Sequence, residues 1–554
     1  MAYAPGTEAC DRLLKDRVVS RIWARDISVW GAAPGTAEAR SIATRLGWLD
    51  VARTMAGELE RVARLAHAAR SERVKAVFLL GMGGSSLCAE VLRSVYGVAD
   101  GYPEVVVLDT TDERTVTSAA ARMDPARTWF IVASKSGGTV EVVSLERFFH
   151  ARISSATGNK AGRQFIAITD PGTALQQLAT THGYREVFLN PADIGGRFSA
   201  LSLFGLVPTA LIGSSPEDLL AAGAAMAEGC RQENHANAGL ELGAFIGSAA
   251  RAGRDKLTLA LPPSLASLGL WIEQLIAEST GKHDKGALPV VDDPLGRPDE
   301  YGQDRAFVAI STERDEPDAQ KLEVLEQAGY PVLRLSTRID GLGSEFFRWE
   351  FATAVAGAVL GINPFNEPNV SEAKEKTKAL LTAFAGDGAL PEPPIRASSS
   401  EVSVSSPTFE GPSPSTVVGK ALASLRQGDY VAFLSYLPAT AEIESAVMNI
   451  RRGIRSRFKA ASTFGVGPRY LHSTGQYHKG GPNTALAFVL TNDDGMQTEI
   501  PEAGYSFSVL KRAQALGDAE ALAAHDRRTV RIHLRVPLDD AARALEELFT
   551  ESLK

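Results

Sequence analysis

The sequence predicts an α/β protein with two doubly wound domains and a C-terminal α/β region. Short apolar runs alternate with segments of helical periodicity along most of the 554 residues, which is typical of parallel sheets covered by helices on both faces. The chain is also too long for one hydrophobic core. Its 44% hydrophobic and 22% charged residues are ordinary for a globular protein.

The first part of the chain is expected to contain a helical segment and then a five-stranded domain. Residues 1–75 are predicted to be helical, because apolar side chains from Trp48 to Val62 recur at helical spacing. Residues 76–215 are predicted to form the first doubly wound, flavodoxin-like domain. Its five strands are predicted at the apolar runs 75–81, 104–109, 128–134, 164–170 and 186–190.

The same alternation returns twice. Residues 216–385 are predicted to form a second, smaller α/β domain with strands at 256–261, 305–311 and 331–336. Residues 386–416 are rich in Pro and Ser and poor in apolar side chains, so they are predicted to be a linker. Residues 417–554 are predicted to form the C-terminal α/β region, with strands at 430–437, 485–491 and 530–536.

Charge and composition narrow the classes of function. A net charge of -8 argues against a general nucleic-acid binder, so any anion site has to be local. Cys10, Cys88 and Cys230 lack the spacing of a metal site or a disulfide framework, which fits a reducing compartment. With neither a signal-peptide pattern nor a long apolar run, the sequence predicts a cytoplasmic protein that does not insert into membranes.

Two turns rich in glycine and hydroxyl groups follow the first and third predicted strands. Both precede helices, so each offers a flexible backbone, free N–H groups and a positive dipole end to a phosphate or a sugar hydroxyl. Both turns can open on the same edge of a doubly wound sheet. An ordinary capped helix start is the alternative for each. The polar residues concerned are Ser85, beside Gly84, in the first turn and Ser134, Lys135, Ser136 and Thr139 in the second.

Two further clusters offer a cation and a carboxylate. Arg197 follows Gly196 and can hold a phosphate or stabilise an enediolate, although a surface ion pair is the alternative. Gln274 and Glu278 share one face of an otherwise apolar helix. Such surroundings should raise the pKa of Glu278 and suit it to remove a proton next to a carbonyl. The alternative is a helix-end Glu near Lys282.

In their order along the chain, these clusters resemble those of the phosphoglucose isomerase family, which belongs to the SIS (sugar isomerase) superfamily. The resemblance covers roughly residues 20–385 and implies two SIS domains. The segment 361–374 resembles the family's late segment that ends in an active-site lysine, which would be Lys374. The C-terminal part resembles the isomerase portion of fused transaldolase–phosphoglucose isomerase proteins, although no transaldolase portion is visible.

The resemblance implies roles for particular residues. Glu278 would be the base, Arg197 would stabilise the enediolate, and Lys374 would help to open the sugar ring. The implied reaction interconverts glucose-6-phosphate and fructose-6-phosphate in a homodimer, without a metal or other cofactor. The residues implied to bind the hexose-6-phosphate are Gly84, Ser85, Ser134, Lys135, Ser136, Thr139, Gly196 and Gln274.

Two departures from the family pattern leave the ring-opening acid open. Glu367 stands where the family usually has Gln, and Asp304 follows a Gly-Gln pair where the family has the ring-opening histidine. The replacement could be Lys374 alone, Asp304, or a histidine from elsewhere. His472 and His478 are the candidates, because they lie in a glycine-rich stretch that resembles the histidine-bearing stretch of some bacterial members.

Other functions stay open at this point. Another SIS isomerase could also accept mannose-6-phosphate, because discrimination at carbon 2 depends on details of the pocket. A non-catalytic sugar-phosphate sensor would keep the hydroxyl-rich turn but could lose the base, so the presence of Glu278, Arg197 and Lys374 together argues against it. The absence of a dinucleotide fingerprint argues against a dehydrogenase.

Overall fold

The N-terminal segment is mostly helical and packs into the hydrophobic core of the first two sheets. The computed structural model describes residues 6–493 and 495–554. Trp48 is fully buried, and its ring lies 5.4 Å from that of Phe198, so this segment packs beneath the Arg197 region. The helices of the segment are α1 (Thr7–Lys15), α2 (Val18–Trp23), α3 (Ala37–Ala43), α4 (Val51–Met55) and α5 (Leu59–Ser71).

The first sheet has five parallel strands in the order β2-β1-β3-β4-β5, which confirms the doubly wound α/β class. Because β1 and β3 are neighbours, the turns that follow them lie side by side at one edge. The strands are β1 (Ala76–Gly81), β2 (Glu104–Leu108), β3 (Thr128–Ala133), β4 (Phe165–Thr169) and β5 (Glu186–Leu189). The helices are α6 (Leu87–Tyr96), α7 (Glu113–Arg122), α8 (Val140–Thr157), α9 (Ala174–Thr181) and α10 (Leu203–Leu211).

The second sheet is smaller and also parallel, with the order β7-β6-β8-β9. One hydrophobic core joins it to the first sheet and to the N-terminal helices. Its helices are α11 (Pro216–Gly229), α12 (Ala238–Arg251), α13 (Leu268–Thr280), α14 (Ala319–Gln327) and α15 (Leu342–Leu360). Its strands are β6 (Lys256–Ala260), β7 (Leu288–Val290), β8 (Arg305–Ser311) and β9 (Val332–Ser336).

The third sheet has six strands in the order β10-β11-β15-β14-β12-β13 and a core of its own. Strands β15, β14, β12 and β13 pair in parallel. Strand β11 pairs antiparallel with both β15 and β10. The strands are β10 (Ile395–Ser398), β11 (Val402–Ser405), β12 (Tyr430–Ser435), β13 (Ala461–Val466), β14 (Ala485–Asn492) and β15 (Arg528–Leu534). The helices are α16 (Val370–Asp387), α17 (Pro414–Ala423), α18 (Ala441–Phe458), α19 (Gly475–Gly480), α20 (Phe507–Ala524) and α21 (Leu538–Ser552).

The prediction of a linker over 386–416 is wrong in its central part, which contains β10 and β11. Val402 and Val404 point into the third core, and β11 pairs with β15. Edge strands tolerate prolines and polar side chains because one side of their backbone is not paired. A composition typical of a loop therefore hid the edge strand β10 and its neighbour β11.

Among the described residues, none of the helices is long and apolar enough to cross a membrane.

Candidate active site

Two glycines allow three distant segments to meet at the end of β1. A Cβ on Gly83, whose φ is +53°, would lie 2.6 Å from the carbonyl oxygen of His472. A Cβ on Gly84 would lie 2.9 Å from the backbone nitrogen of Arg197 and closer still to the carbonyl oxygen of Gly196. Real Cβ atoms essentially never come within 3.0 Å of such groups. The absence of side chains at these two positions is therefore what brings the segments together.

Glu278 lies on α13 at this meeting point, one turn after Gln274. The side-chain nitrogen of Gln274 donates to Glu278 Oε2 at 3.1 Å and to the carbonyl oxygen of His472 at 2.8 Å. Both side chains are buried. The helix spacing of four residues thus aims an amide and a carboxylate at the same small space, as the sequence predicts.

Arg197 lies on the opposite side of Glu278 with its guanidinium fully engaged. Its Nη1 is 3.3 Å from Glu278 Oε1 and donates to Glu367 Oε2 at 2.9 Å. Its Nε donates to the hydroxyl of Ser279 at 2.7 Å. Its Nη2 donates to two backbone carbonyls of the segment after α15, which belong to Pro364 and Asn366. The arginine is therefore fixed beside the carboxylate by contacts to α13 and to the segment after α15.

The two carboxylates that share Arg197 have pKa values displaced in opposite directions. Burial raises the pKa of Glu278 above its usual value; Arg197 opposes this rise, and the charge of Glu367 adds to it. Burial also acts to raise the pKa of Glu367, but Arg197 and Arg45 outweigh it and hold that pKa below the usual value. Such a separation leaves Glu278 as the carboxylate better suited to accept a proton.

Lys282, the alternative partner of Glu278, points elsewhere. Its Nζ donates to the carbonyl oxygens of Ser279 at 2.8 Å and of Asn363 at 2.6 Å. Burial drives the pKa of Lys282 well below its usual value. Glu278 is therefore not an ordinary helix-end carboxylate paired to a neighbouring lysine.

The hydroxyl-rich turn after β3 has the shape expected of an anion site. The hydroxyls of Ser134 and Thr139 lie 3.1 Å apart, and the backbone N–H of Gly137 donates to Ser134 Oγ at 3.1 Å. Gly137 has a φ of +70°, which turns the chain sharply before α8 begins. Ser136 is exposed at the tip of the turn. The turn thus presents hydroxyls beside the N-terminus of an 18-residue helix.

Lys135 takes a different position from the one expected. Its ammonium group pairs with the carboxylate of Asp170 and donates to the carbonyl oxygen of Ala192 at 3.1 Å. It therefore ties the turn to the loops after β4 and β5. Its contribution to an anion at the turn is a nearby positive charge and not a free donor.

His472 reaches the first sheet from the C-terminal region of the same chain. Its Nε2 lies 2.9 Å from Glu141 Oε1, and Glu141 also accepts from the side chain of Gln514 at 2.7 Å. Burial acts to raise the pKa of Glu141, but the charges of His472 and Lys374 help to hold it below its usual value. Glu141 thus joins the predicted histidine and the predicted lysine, two residues after the hydroxyl-rich turn.

Two other predicted alternatives lie outside this group of contacts. Asp304 is buried 3.8 Å from the ammonium of Lys256, between the second and third sheets. His478 is buried with its Nδ1 2.8 Å from the hydroxyl of Tyr430, and burial lowers its pKa to about 3. Of the four candidates left open by the sequence, His472 and Lys374 are the two whose charges act on Glu141.

Sequence reasoning did not identify Glu141 or Gln514. Glu141 lies in the first turn of α8, where an acidic residue ordinarily stabilises the helix N-terminus, so its type and position were unremarkable. Gln514 is 373 residues away from it along the chain. A buried histidine needs a hydrogen-bond partner, often a carboxylate. That need was the one signal that could have pointed to a partner such as Glu141.

A cluster of metal-ligating side chains lies between α8 and the end of α9. Glu146, His150 and His182 place ligand atoms within 4.8 Å of one another. The two imidazole rings are stacked, with centroids 4.3 Å apart, and Glu146 accepts a hydrogen bond from Tyr184 at 2.7 Å. Imidazole lone pairs lie in the ring plane, so those of stacked rings do not converge on one ion. We therefore assign no metal to this cluster.

Sequence comparison identifies related proteins of known activity. A family model described as phosphoglucose isomerase matches residues 50–293. The glucose-6-phosphate isomerase of Staphylococcus saprophyticus is 30% identical over 388 residues, which cover 61% of this chain and 86% of that protein. The glucose-6-phosphate isomerase of Staphylococcus aureus strain NCTC 8325 is 28% identical over 390 residues, with the same coverage.

Structural comparison shows the same fold in solved proteins. The hypothetical protein TT0462 from Thermus thermophilus superimposes with a TM-score of 0.59 at 23% identity, covering 68% of this chain and 96% of that one. The glucose-6-phosphate isomerase of Chlamydia trachomatis superimposes with a TM-score of 0.51 at 20% identity, covering 66% of this chain and 78% of that one.

Proposed function

This chain belongs to the phosphoglucose isomerase family and is an isomerase, and we propose that it interconverts glucose-6-phosphate and fructose-6-phosphate through a cis-enediol. One observation carries the proposal. Glu278 is joined to the hydroxyl-rich turn by successive contacts through Gln274, His472 and Glu141. These contacts support a site in which the base, the histidine and the hydroxyl-rich turn act on one substrate.

The phosphate group of the substrate is held at the turn 134–139. Hydroxyls of Ser134, Ser136 and Thr139 and the free N–H groups at the start of α8 supply donors. Lys135 adds positive charge from its position beside Asp170. The backbone of Gly84 and the side chain of Ser85 face the sugar from the neighbouring turn.

Ring opening is assigned to His472 with Lys374. Glu141 contacts His472 Nε2 at 2.9 Å and so orients the imidazole. A protonated histidine can give a proton to the ring oxygen, and the exposed ammonium of Lys374 lies within electrostatic range of the same carboxylate. In this proposal, a histidine from the C-terminal region takes the role of the family histidine, in whose place this chain has Asp304.

Proton transfer is assigned to Glu278. It removes the proton from carbon 2 and returns it to carbon 1, while the negative charge that develops on the enediolate oxygens faces Arg197. Gln274 orients the carboxylate through the 3.1 Å hydrogen bond to Oε2. The raised pKa of Glu278 makes it a stronger base than an ordinary carboxylate.

The test is a coupled assay of the Glu278→Gln protein with glucose-6-phosphate. We expect kcat to fall by about 100-fold or more while KM changes little, because the base acts only in the chemical step. The matched control is Glu273→Gln, at the position just before Gln274 on the same helix. Burial raises the pKa of the Glu273 carboxyl to about 8, so this side chain is mostly uncharged at neutral pH, as glutamine is. Full activity of Glu278→Gln would remove the proposed base.

Two alternatives are tested in the same experiment. Turnover of mannose-6-phosphate at a comparable kcat/KM would indicate a dual isomerase. Binding of both hexose phosphates without turnover of either would indicate a sensor. The buried base and its fixed arginine favour turnover over simple binding.

Assembly as a homodimer is also proposed, on the ground of family membership. All the groups named above come from one chain. The activity per chain should therefore be measured over the range of protein concentrations in which the dimer dissociates into monomers. Light scattering after size exclusion should give twice the chain mass, and a monomer of full activity would contradict the proposal.

A further inference from the structure

A cavity lies beside the third sheet, and its lining includes none of the residues assigned to isomerisation. Its volume is about 840 Å³, and it opens at the carboxyl ends of β14 and β15. Arg531, His533 and Arg535 alternate along β15 and its continuation, so their side chains share one face and line the cavity. Helix α20 covers the other side with Lys511 and Arg512. In parallel sheets, ligands bind at this edge.

Arg531 is the unusual member of this lining. Its residue is 8% exposed, and its Nε is buried without a hydrogen-bond partner. Among the described residues, no carboxylate lies within ion-pair distance of its guanidinium. Burial and then the charge of Arg512 lower the pKa of Arg531 to about 10, although Asp493 opposes them, so the guanidinium remains protonated at neutral pH. A buried guanidinium without a counterion is costly unless an anion joins it.

The neighbouring cations add to the excess of positive charge. Arg512 pairs with Glu392, but that carboxylate is 72% exposed and largely solvated. Lys511 is held at 2.9 Å by Asp112, and Arg535 is exposed at the mouth. Asp493 also lines the cavity, 3.3 Å from His533 Nε2, but its side chain is 77% exposed. The three arginines of the lining therefore still outnumber Glu392 and Asp493, the two carboxylates of its described residues.

The structure assigns this cavity to a phosphorylated metabolite. A guanidinium matches two oxygens of a phosphate at once, and several of them around one space suit a group that carries two negative charges. The cavity volume falls within the range of small-molecule sites. The cavity is larger than inorganic phosphate alone requires. His533, held by the hydroxyl of Thr491 at 3.0 Å, adds a polar contact beside the arginines.

The first measurement is calorimetric titration with pyrophosphate, a compact phosphate-bearing probe. The titrated protein carries Ser134→Ala and Thr139→Ala, which weaken the phosphate site of the isomerase centre. We expect one pyrophosphate per chain, bound at least about tenfold more weakly after Arg531→Gln, since this removes a charge-assisted contact. Arg452→Gln makes the same charge change at an exposed position on α18 and should leave binding unchanged.

The second measurement is thermal unfolding in phosphate-free buffer. Because Arg531 is buried without a partner, Arg531→Gln should leave the melting temperature unchanged or higher in the absence of anions. The same variant should lose the rise in melting temperature that pyrophosphate gives to the parent protein. If Arg531→Gln does not fold, Arg512→Gln serves as the second variant and should weaken binding in the same way.

Three results would overturn the assignment. One is unchanged pyrophosphate affinity in both arginine variants. Another is a melting temperature of Arg531→Gln well below the parent without any loss of pyrophosphate binding, which would make the arginine structural. The third is citrate binding as tightly as pyrophosphate, which would make the site one for carboxylates. The result does not depend on isomerase activity, so it is separable from the proposed function.

Discussion

Replacing Gly84 by Ala should displace the arginine of the active site without touching any catalytic side chain. The added Cβ would lie about 1 Å inside the 3.0 Å limit for such contacts with the carbonyl oxygen of Gly196. It would also lie 2.9 Å from the backbone nitrogen of Arg197. Backbone atoms cannot rotate out of the way as side chains can, so the two segments have to separate by about 1 Å.

That displacement sets the expected size of the effect. A shift of about 1 Å in a positioning group costs on the order of 100-fold in rate, which corresponds to about 2.7 kcal/mol of barrier. Overpacking a buried contact costs about 1–3 kcal/mol of unfolding free energy. We therefore expect kcat/KM of Gly84→Ala to fall about 100-fold while the protein still folds.

The assay is the coupled assay with glucose-6-phosphate, together with thermal unfolding. Gly195→Ala is the matched control, because it lies two residues before Arg197 and its Cβ would meet neighbouring atoms at 3.7 Å, an ordinary contact. Its backbone, at φ -64° and ψ 150°, accepts alanine. If Gly84→Ala keeps the activity of Gly195→Ala, the close approach of the two segments is not what positions Arg197.

Three further predictions concern the groups around the reacting atoms. In Glu367→Gln the pKa of Glu278 should fall, because a neighbouring negative charge is removed. The acid limb of kcat/KM against pH should then move to lower pH, and an unmoved limb would contradict the assigned base. Glu141→Gln should reduce kcat by about 10-fold or more, since the carboxylate that orients His472 is lost. A smaller loss when open-chain substrate predominates would support a role of Glu141 in ring opening, and an equal loss would contradict it. Lys374→Met should lower kcat/KM by about tenfold, whereas Lys378→Met, an exposed residue one turn along α16, should not.

The sequence predicted the strands whose side chains are uniformly apolar. In β1, β3, β4 and β12 nearly every residue is buried, and each was located from its apolar run. Strands β7 and β13 were missed. The first has three residues including Pro289, and the second contains Ser, Thr and Gly. Short or mixed strands are fixed by their neighbours in the sheet, which a local pattern does not contain.

The site was predictable where one local segment carries the whole feature. The pair Gln274 and Glu278 is set by helix spacing, and the structure brings it to the predicted meeting point. The orientation of Lys135 was not predictable, because Asp170 draws it away and comes from another strand end. Neither was the link between His472 and Glu141, which spans 331 residues of sequence. Tertiary contacts of this kind decide which of several plausible groups face the ligand.

The central claim is that Glu278, His472 and the turn 134–139 close around one phosphorylated sugar. A crystal structure of the Glu278→Gln protein with bound fructose-6-phosphate tests it most directly. The account predicts the phosphate on the hydroxyls of Ser134 and Thr139, carbons 1 and 2 within reach of the residue at 278, and His472 beside the ring oxygen. A sugar phosphate bound away from position 278, or with its phosphate elsewhere, would contradict the account.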